Sequence, residues 1–132
     1  MLNDIYFMLE KIENEKIQKE LEEELKKVTQ WHKKTFPNAD KAGQLLKLEE
    51  ELKEAKQSQT EKEAYKELAD VFIVLAGLDR FKSFIGGTLY GLLCDEINSQ
   101  EKKALLKAIR EKMKINRARK WDKLKDGRFK HK

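Results

Sequence analysis

The chain is poor in the residues that cross-link and punctuate a fold. A single cysteine, Cys94, excludes an intramolecular disulfide, and two histidines, His32 and His131, are too few for any zinc-type Cys/His spacing. A reducing compartment is expected, with Cys94 as a small core hydrophobe. One proline and six glycines leave sheet signals nearly absent. No apolar run approaches the length of a bilayer span. The N-terminus alternates acidic and apolar residues, without the basic region, apolar block and cleavage site of a signal peptide. These absences lead to the expectation of a soluble, cytoplasmic protein.

What is abundant is charge, at 40% of residues, within long runs of Glu, Lys, Leu and Ala. Such a composition specifies an all-α protein, and 132 residues specify one domain, residues 1–132, without internal repeats. The charge is uneven. Residues 102–132 hold 14 Lys plus Arg against 3 Asp plus Glu, whereas residues 1–101 hold 15 against 21. A basic C-terminal segment on an acidic body suits either nucleic-acid binding or closure over a bound polyphosphate.

Helical periodicity predicts a long first helix, about residues 3–34, with Leu2, Ile5, Tyr6, Leu9, Ile12, Leu21, Leu25, Val28 and Trp31 on its apolar stripe. The stripe thins near residues 14–19, where a break or an exposed stretch is expected. Pro37 stops the helix. A second helix follows over residues 40–56, with Leu45, Leu48, Leu52 and Ala55 on its apolar face. Thr60 and Glu63 form a capping-box pattern for a third, residues 61–80. Gly86-Gly87 predicts a kink or turn before a shorter apolar segment, residues 88–97. Asn98 with Glu101 caps a last helix, residues 99–119. Four or five helices result. Beyond Trp121 no periodicity is visible, so residues 120–132 read as an extended or mobile basic tail.

The chemistry concentrates between Glu50 and Asp70. Positions three apart lie roughly 60° apart around a helix, so Glu51 shares a face with Glu54, and Glu67 with Asp70. Two antiparallel helices could bring these four carboxylates into one volume, with Glu50 beside them. Acidic pairs also occur on any solvated Glu-rich helix. Asp70 is more specific, because it opens the all-apolar run Val71–Ala76 and therefore enters the core. There it needs a partner, either Lys66 one turn before it or a metal. A hard divalent cation suits such oxygen ligands and suits phosphate chemistry.

Lys112, Asn116 and Arg119 fall on one stripe of the last helix. They could grip phosphate oxygens or be generic basic surface. Trp31 and Trp121 read as core or interface anchors, with stacking on a nucleobase the alternative for Trp31. His32 reads as a surface residue.

The ordered set Trp31, Thr35-Phe36-Pro37, Gln44-Leu45-x-Lys47-Leu48, Glu50-Glu51-x-x-Glu54, Glu67-Leu68-Ala69-Asp70-Val71, Lys112, Asn116, Arg119 and Trp121 resembles the MazG-like all-α nucleoside triphosphate pyrophosphohydrolases. The likeness covers about residues 28–129 and looks nearest to the small dATP/dGTP diphosphohydrolase type of bacteria and phages. It departs at Lys47, where that branch commonly carries His. The resemblance implies a MazG-like helical bundle that cleaves a (deoxy)nucleoside triphosphate to the monophosphate and pyrophosphate. It implies Mg²⁺, or Mn²⁺, on Glu51, Glu54, Glu67 and Asp70, with Glu50 orienting water. It also implies Trp31, Lys112, Asn116 and Arg119 as substrate contacts, and a homodimer or tetramer with neither membrane nor nucleic acid as partner. The rival expectation is a non-enzymatic helical module that binds nucleic acid or protein through the basic tail.

Overall fold

The Glu/Lys/Leu pattern of the first segment forms one unbroken helix, α1 (Leu2–Thr35), in the computed structural model, which describes residues 1–82 and 84–132, residues 84–86 by backbone alone. It is followed by α2 (Lys41–Lys56), α3 (Glu61–Asp79), α4 (Phe84–Asp95) and α5 (Ser99–Ala118), then by strands β1 (Trp121–Lys123) and β2 (Phe129–His131). The all-α expectation holds, with five helices and one two-stranded hairpin among the described residues.

The helix starts follow from side-chain caps that satisfy free backbone donors. Asp40 accepts from the Gly43 amide at 2.6 Å, and Thr60 accepts from that of Glu63 at 3.2 Å. Asn98 and Glu101 complete a reciprocal capping box. At Thr60 the box is only half made, because the Glu63 carboxylate takes the Gln59 amide instead.

Helix α3 is the axis of the bundle and packs against α1, α2, α4 and α5. Its run Val71–Leu78 is buried on every face, as an apolar stretch without a polar stripe requires. One core cluster joins α1, α3 and α5 through Leu21, Val28, Phe72, Leu105, Ile109 and Met113. A second joins α2 and α3 through Leu48, Val71, Val74, Leu75 and Leu78. Fully burying each such side chain contributes about 1.5–3 kcal/mol.

Four sequence expectations are corrected. First, α1 does not break near residues 14–19, although Glu15, Lys16 and Lys19 are exposed there, as the alternative expectation has it. Where its apolar stripe thins, Asn14 accepts from Lys102 at 2.8 Å and Glu13 pairs with Lys103, so α5 covers a polar face there. Second, the start of α1 is not core. Leu2, Ile5, Tyr6, Leu9 and Ile12 are 46–66% exposed, even though the start of α5 reaches this stretch through Ser99, which donates to Glu10 at 2.6 Å. Third, Gly86-Gly87 lies inside α4, and the chain turns earlier, at Phe81 and Lys82, the latter with φ of 51°. Fourth, residues 120–132 are a folded antiparallel hairpin that pairs Trp121 with His131 and Lys123 with Phe129. Three-residue strands are too short to display a period of two. The legible signal was Asp126-Gly127, a hairpin-turn dipeptide whose glycine has φ of 93°.

The hairpin is anchored to the start of α2. A β-carbon on Gly43 would collide with the Gly127 backbone, so only glycine permits this approach. Lys123 adds a hydrogen bond to the Asn38 carbonyl at 2.8 Å and an ion pair with Asp40 at 3.7 Å.

Candidate metal and phosphate site

The buried stripe of α2 is Gln44, Leu48 and Glu51, so a helix that should face the core with leucines faces it with polar groups at both ends. At one end Gln44 donates to the Val74 carbonyl at 3.1 Å and its Oε1 meets His32 Nε2 at 3.1 Å. At the other end Glu51 meets the acidic start of α3. Ligand oxygens of Glu51, Glu54 and Glu67 lie within 4.8 Å of one another.

This cluster is electrostatically frustrated. Burial, then the charges of Asp70 and Glu54, push the Glu51 pKa up to about 7 against the opposing pull of Lys47. Burial and the same two neighbours raise Glu67. Burial also raises Asp70, although Lys112 opposes it. Burial works against the Lys47 ammonium, yet Glu51 and Glu50 outweigh it and raise its pKa. Glu51 Oε2 and Glu67 Oε2 are buried with no hydrogen-bond partner among the described residues. Orphaned carboxylate oxygens pressed against like charge are costly alone. Three converging carboxylates, two of them with free buried oxygens, fit a hard divalent cation.

Asp70 does not join the triad in the same way. Its Oδ2 pairs with Lys112 Nζ at 3.2 Å, across from α5, rather than with Lys66 as sequence spacing allowed. Glu50 Oε2 is met at 3.3 Å by both Lys47 and Arg128, and Lys47 also meets Glu51 Oε1 at 3.3 Å.

A cavity of about 590 Å³ opens above the carboxylates. Its walls include every residue singled out from the sequence: Glu50, Glu51, Glu54, Glu67, Asp70, Trp31, Lys112, Asn116 and Arg119. Asn116 is the buried member of the α5 stripe, and Arg119 closes the end of that helix. The hairpin supplies another wall through Trp121, Arg128, Phe129, Lys130 and His131. Rings from α1, the following loop and the hairpin meet edge to face. Trp31 and Phe36 lie 5.4 Å apart, Phe36 and Trp121 5.4 Å, and Trp31 and Trp121 6.3 Å. Such contacts fix the hairpin against the helix and leave Trp31 half-buried at the cavity.

His32, read from sequence as a surface residue, is only 5% exposed. Burial first, then the charge of Arg80, lowers its pKa to about 4. Arg80 Nη1 donates to His32 Nδ1 at 3.1 Å and to the Phe36 carbonyl at 2.7 Å, closing the end of α1. That places the ring proton on Nε2, which donates to Gln44. Gly77 makes room for the pair, since a β-carbon there would strike Gln44 Nε2 and lie 2.9 Å from His32 Cδ2. The sequence spacing of His32, Gln44 and Arg80 carried no sign of this network, because its members come from three helices or their ends.

Comparisons with known proteins add little. No protein-family model and no curated protein matches the chain. Among solved structures, it is similar to the cyanophage S-2L MazG-like pyrophosphohydrolase bound to dGDP and three catalytic Mn²⁺ ions per active site. The two are 28% identical over 85% of this chain and 92% of that one, with a TM-score of 0.38. A superposition that loose transfers no geometry to the cavity described above. No helix among the described residues is long and apolar enough to cross a membrane.

Proposed function

We propose that the protein is a divalent-metal-dependent pyrophosphohydrolase of nucleoside triphosphates. The observation that carries this reading is the shared cavity: three carboxylates with converging oxygens on one wall and Lys112, Asn116 and Arg119 on another. Its volume of about 590 Å³ lies within the usual range for small-molecule sites. The motif resemblance to MazG-like enzymes supports the same reading and narrows the substrate to purine deoxynucleotides, dATP or dGTP, with Mg²⁺ as the working ion and Mn²⁺ as a substitute.

Glu51, Glu54 and Glu67 would hold the metal, with Asp70 beside them. A cation bound there supplies charge neutralisation and electrophilic assistance at phosphorus. Glu50, at the rim and 36% exposed, is placed to orient or deprotonate an attacking water. Lys112, Asn116 and Arg119 bind and orient the phosphate chain, while Trp31 offers a ring face to the base. We assign the homo-oligomeric contact to the exposed apolar start of α1.

The rival reading, nucleic-acid binding by a free basic tail, is weakened by the pairing of that segment. Lys123, Arg128 and Lys132 each meet a carboxylate. The deciding experiment incubates the protein with each natural dNTP and NTP plus Mg²⁺ or Mn²⁺ and separates pyrophosphate from orthophosphate. Metal-dependent pyrophosphate release, lost in Asp70→Asn while circular dichroism is unchanged, is the expected result. Salt-sensitive DNA or RNA binding without turnover of any nucleotide would sink the proposal.

A further inference from the structure

Arg128 occupies a position that hairpin folding alone does not explain. Its Nε and Nη2 both meet Asp126 Oδ2 at 2.8 Å, so the guanidinium is clamped from within its own turn. Nη1 is left to reach Glu50 Oε2 at 3.3 Å, an oxygen that Lys47 already meets at the same distance. Glu50 therefore keeps a cation beside it when Arg128 turns away. Both partners are about one-third exposed, at 31% and 36%. An ion pair that open to water contributes little to folding.

The placement makes sense for a ligand. The hairpin holding Arg128 is fixed on α2 by the Gly43–Gly127 backbone approach and on α1 and its loop by rings, so the guanidinium is preorganised at the cavity wall. Five carboxylates line that cavity, at positions 50, 51, 54, 67 and 70, against five cations, at 47, 112, 119, 128 and 130. The lining is thus formally neutral, and each divalent cation taken up by the carboxylates leaves an excess of positive charge. A polyphosphate is the anion that matches a neutral cavity plus metal. Arg, with its planar fork, is the side chain best suited to grip phosphate oxygens.

We propose that Arg128 is a polyphosphate-binding residue, oriented by Asp126, which exchanges Glu50 for the phosphate chain of the substrate. The inference rests on the proposed function only in taking that substrate to be a nucleoside triphosphate. It makes the hairpin part of the binding site, in which Asp126 acts as a positioning residue.

Calorimetric titration with inorganic tripolyphosphate in saturating Mg²⁺ tests it on the full chain. Arg128→Ala should weaken binding about 10- to 100-fold, the loss of a charge-assisted hydrogen-bond pair. Arg128→Lys should recover part of the affinity, and Asp126→Ala should fall between wild type and Arg128→Ala. Thermal midpoints and Mn²⁺ affinity by electron paramagnetic resonance should stay at wild-type values, which separates a phosphate contact from a structural one. Equal tripolyphosphate affinity in wild type and Arg128→Ala, including no binding by either, overturns the inference. Pyrophosphate release from nucleotides is followed in parallel. Turnover by wild type with KM unchanged in Arg128→Ala sinks the inference alone. Arg128-dependent tripolyphosphate binding without turnover of any nucleotide supports it and sinks the function proposed above.

Discussion

Replacing His32 by Gln removes the one buried imidazole while keeping a polar side chain between Gln44 and Arg80. The wild-type ring has its pKa lowered from 6.5 to about 4 by burial and Arg80. Between those values the unfolded chain binds a proton that the folded chain refuses, so stability falls as pH drops from 6.5 and levels off below about 4. At about 1.4 kcal/mol per tenfold change in proton affinity, the whole window is worth about 3 kcal/mol. About 2.5 kcal/mol of it is reached at pH 4.5. Glu51 acts in the opposite sense. With its pKa raised to about 7, the folded chain holds a proton that the unfolded one has released, so acidification through that range stabilises. The wild-type profile blends the two, and only the difference between proteins isolates His32. Urea unfolding in EDTA should show the His32→Gln variant gaining about 2.5 kcal/mol on wild type between pH 7.5 and pH 4.5. A gap that stays constant between the two pH values would refute the buried, neutral imidazole.

Other outcomes follow from the same contacts. Glu51→Gln should reduce metal-dependent pyrophosphate release by about 100-fold or more without lowering the metal-free melting temperature at pH 8. At that pH the native carboxylate is ionised against Asp70 and Glu54, so retained turnover would remove it from the site. Gly77→Ala forces a β-carbon into Gln44 and His32 and should cost about 1–3 kcal/mol in urea denaturation; a neutral result would show that the two side chains are not packed there. Tyr6→Lys with Leu9→Lys replaces side chains that are 66% and 57% exposed and should leave unfolding of the individual chain within about 0.5 kcal/mol. If the start of α1 is the oligomer contact, light scattering should then report the single-chain mass of 15.6 kDa. An unchanged multimer would move the contact elsewhere.

The helices were legible because their signals are local. Asp40, Thr60 and Asn98 cap where side-chain oxygens precede helical runs, and the apolar stretch after Asp70 announces a central helix. The carboxylates were legible for the same reason, since three-residue spacing decides which face of a helix they share. Their pairing was not: Asp70 found Lys112 from α5 instead of its near neighbour Lys66, because burial selects partners by position in space. The hairpin was missed as a wall of the cavity because its strands are short and its anchors, Gly43, Phe36 and Asp40, lie more than eighty residues away in sequence.

The sequence by itself determined an all-helical chain with two acidic faces and a cationic stripe, since composition and periodicity act through hydrogen bonds and rotations within a few residues. Only the tertiary structure decided that these faces share one cavity with the hairpin, that His32 is buried and neutral, and that the first turns of α1 stand uncovered. Those outcomes depend on which surfaces meet, and desolvation and charge pairing act only once they do.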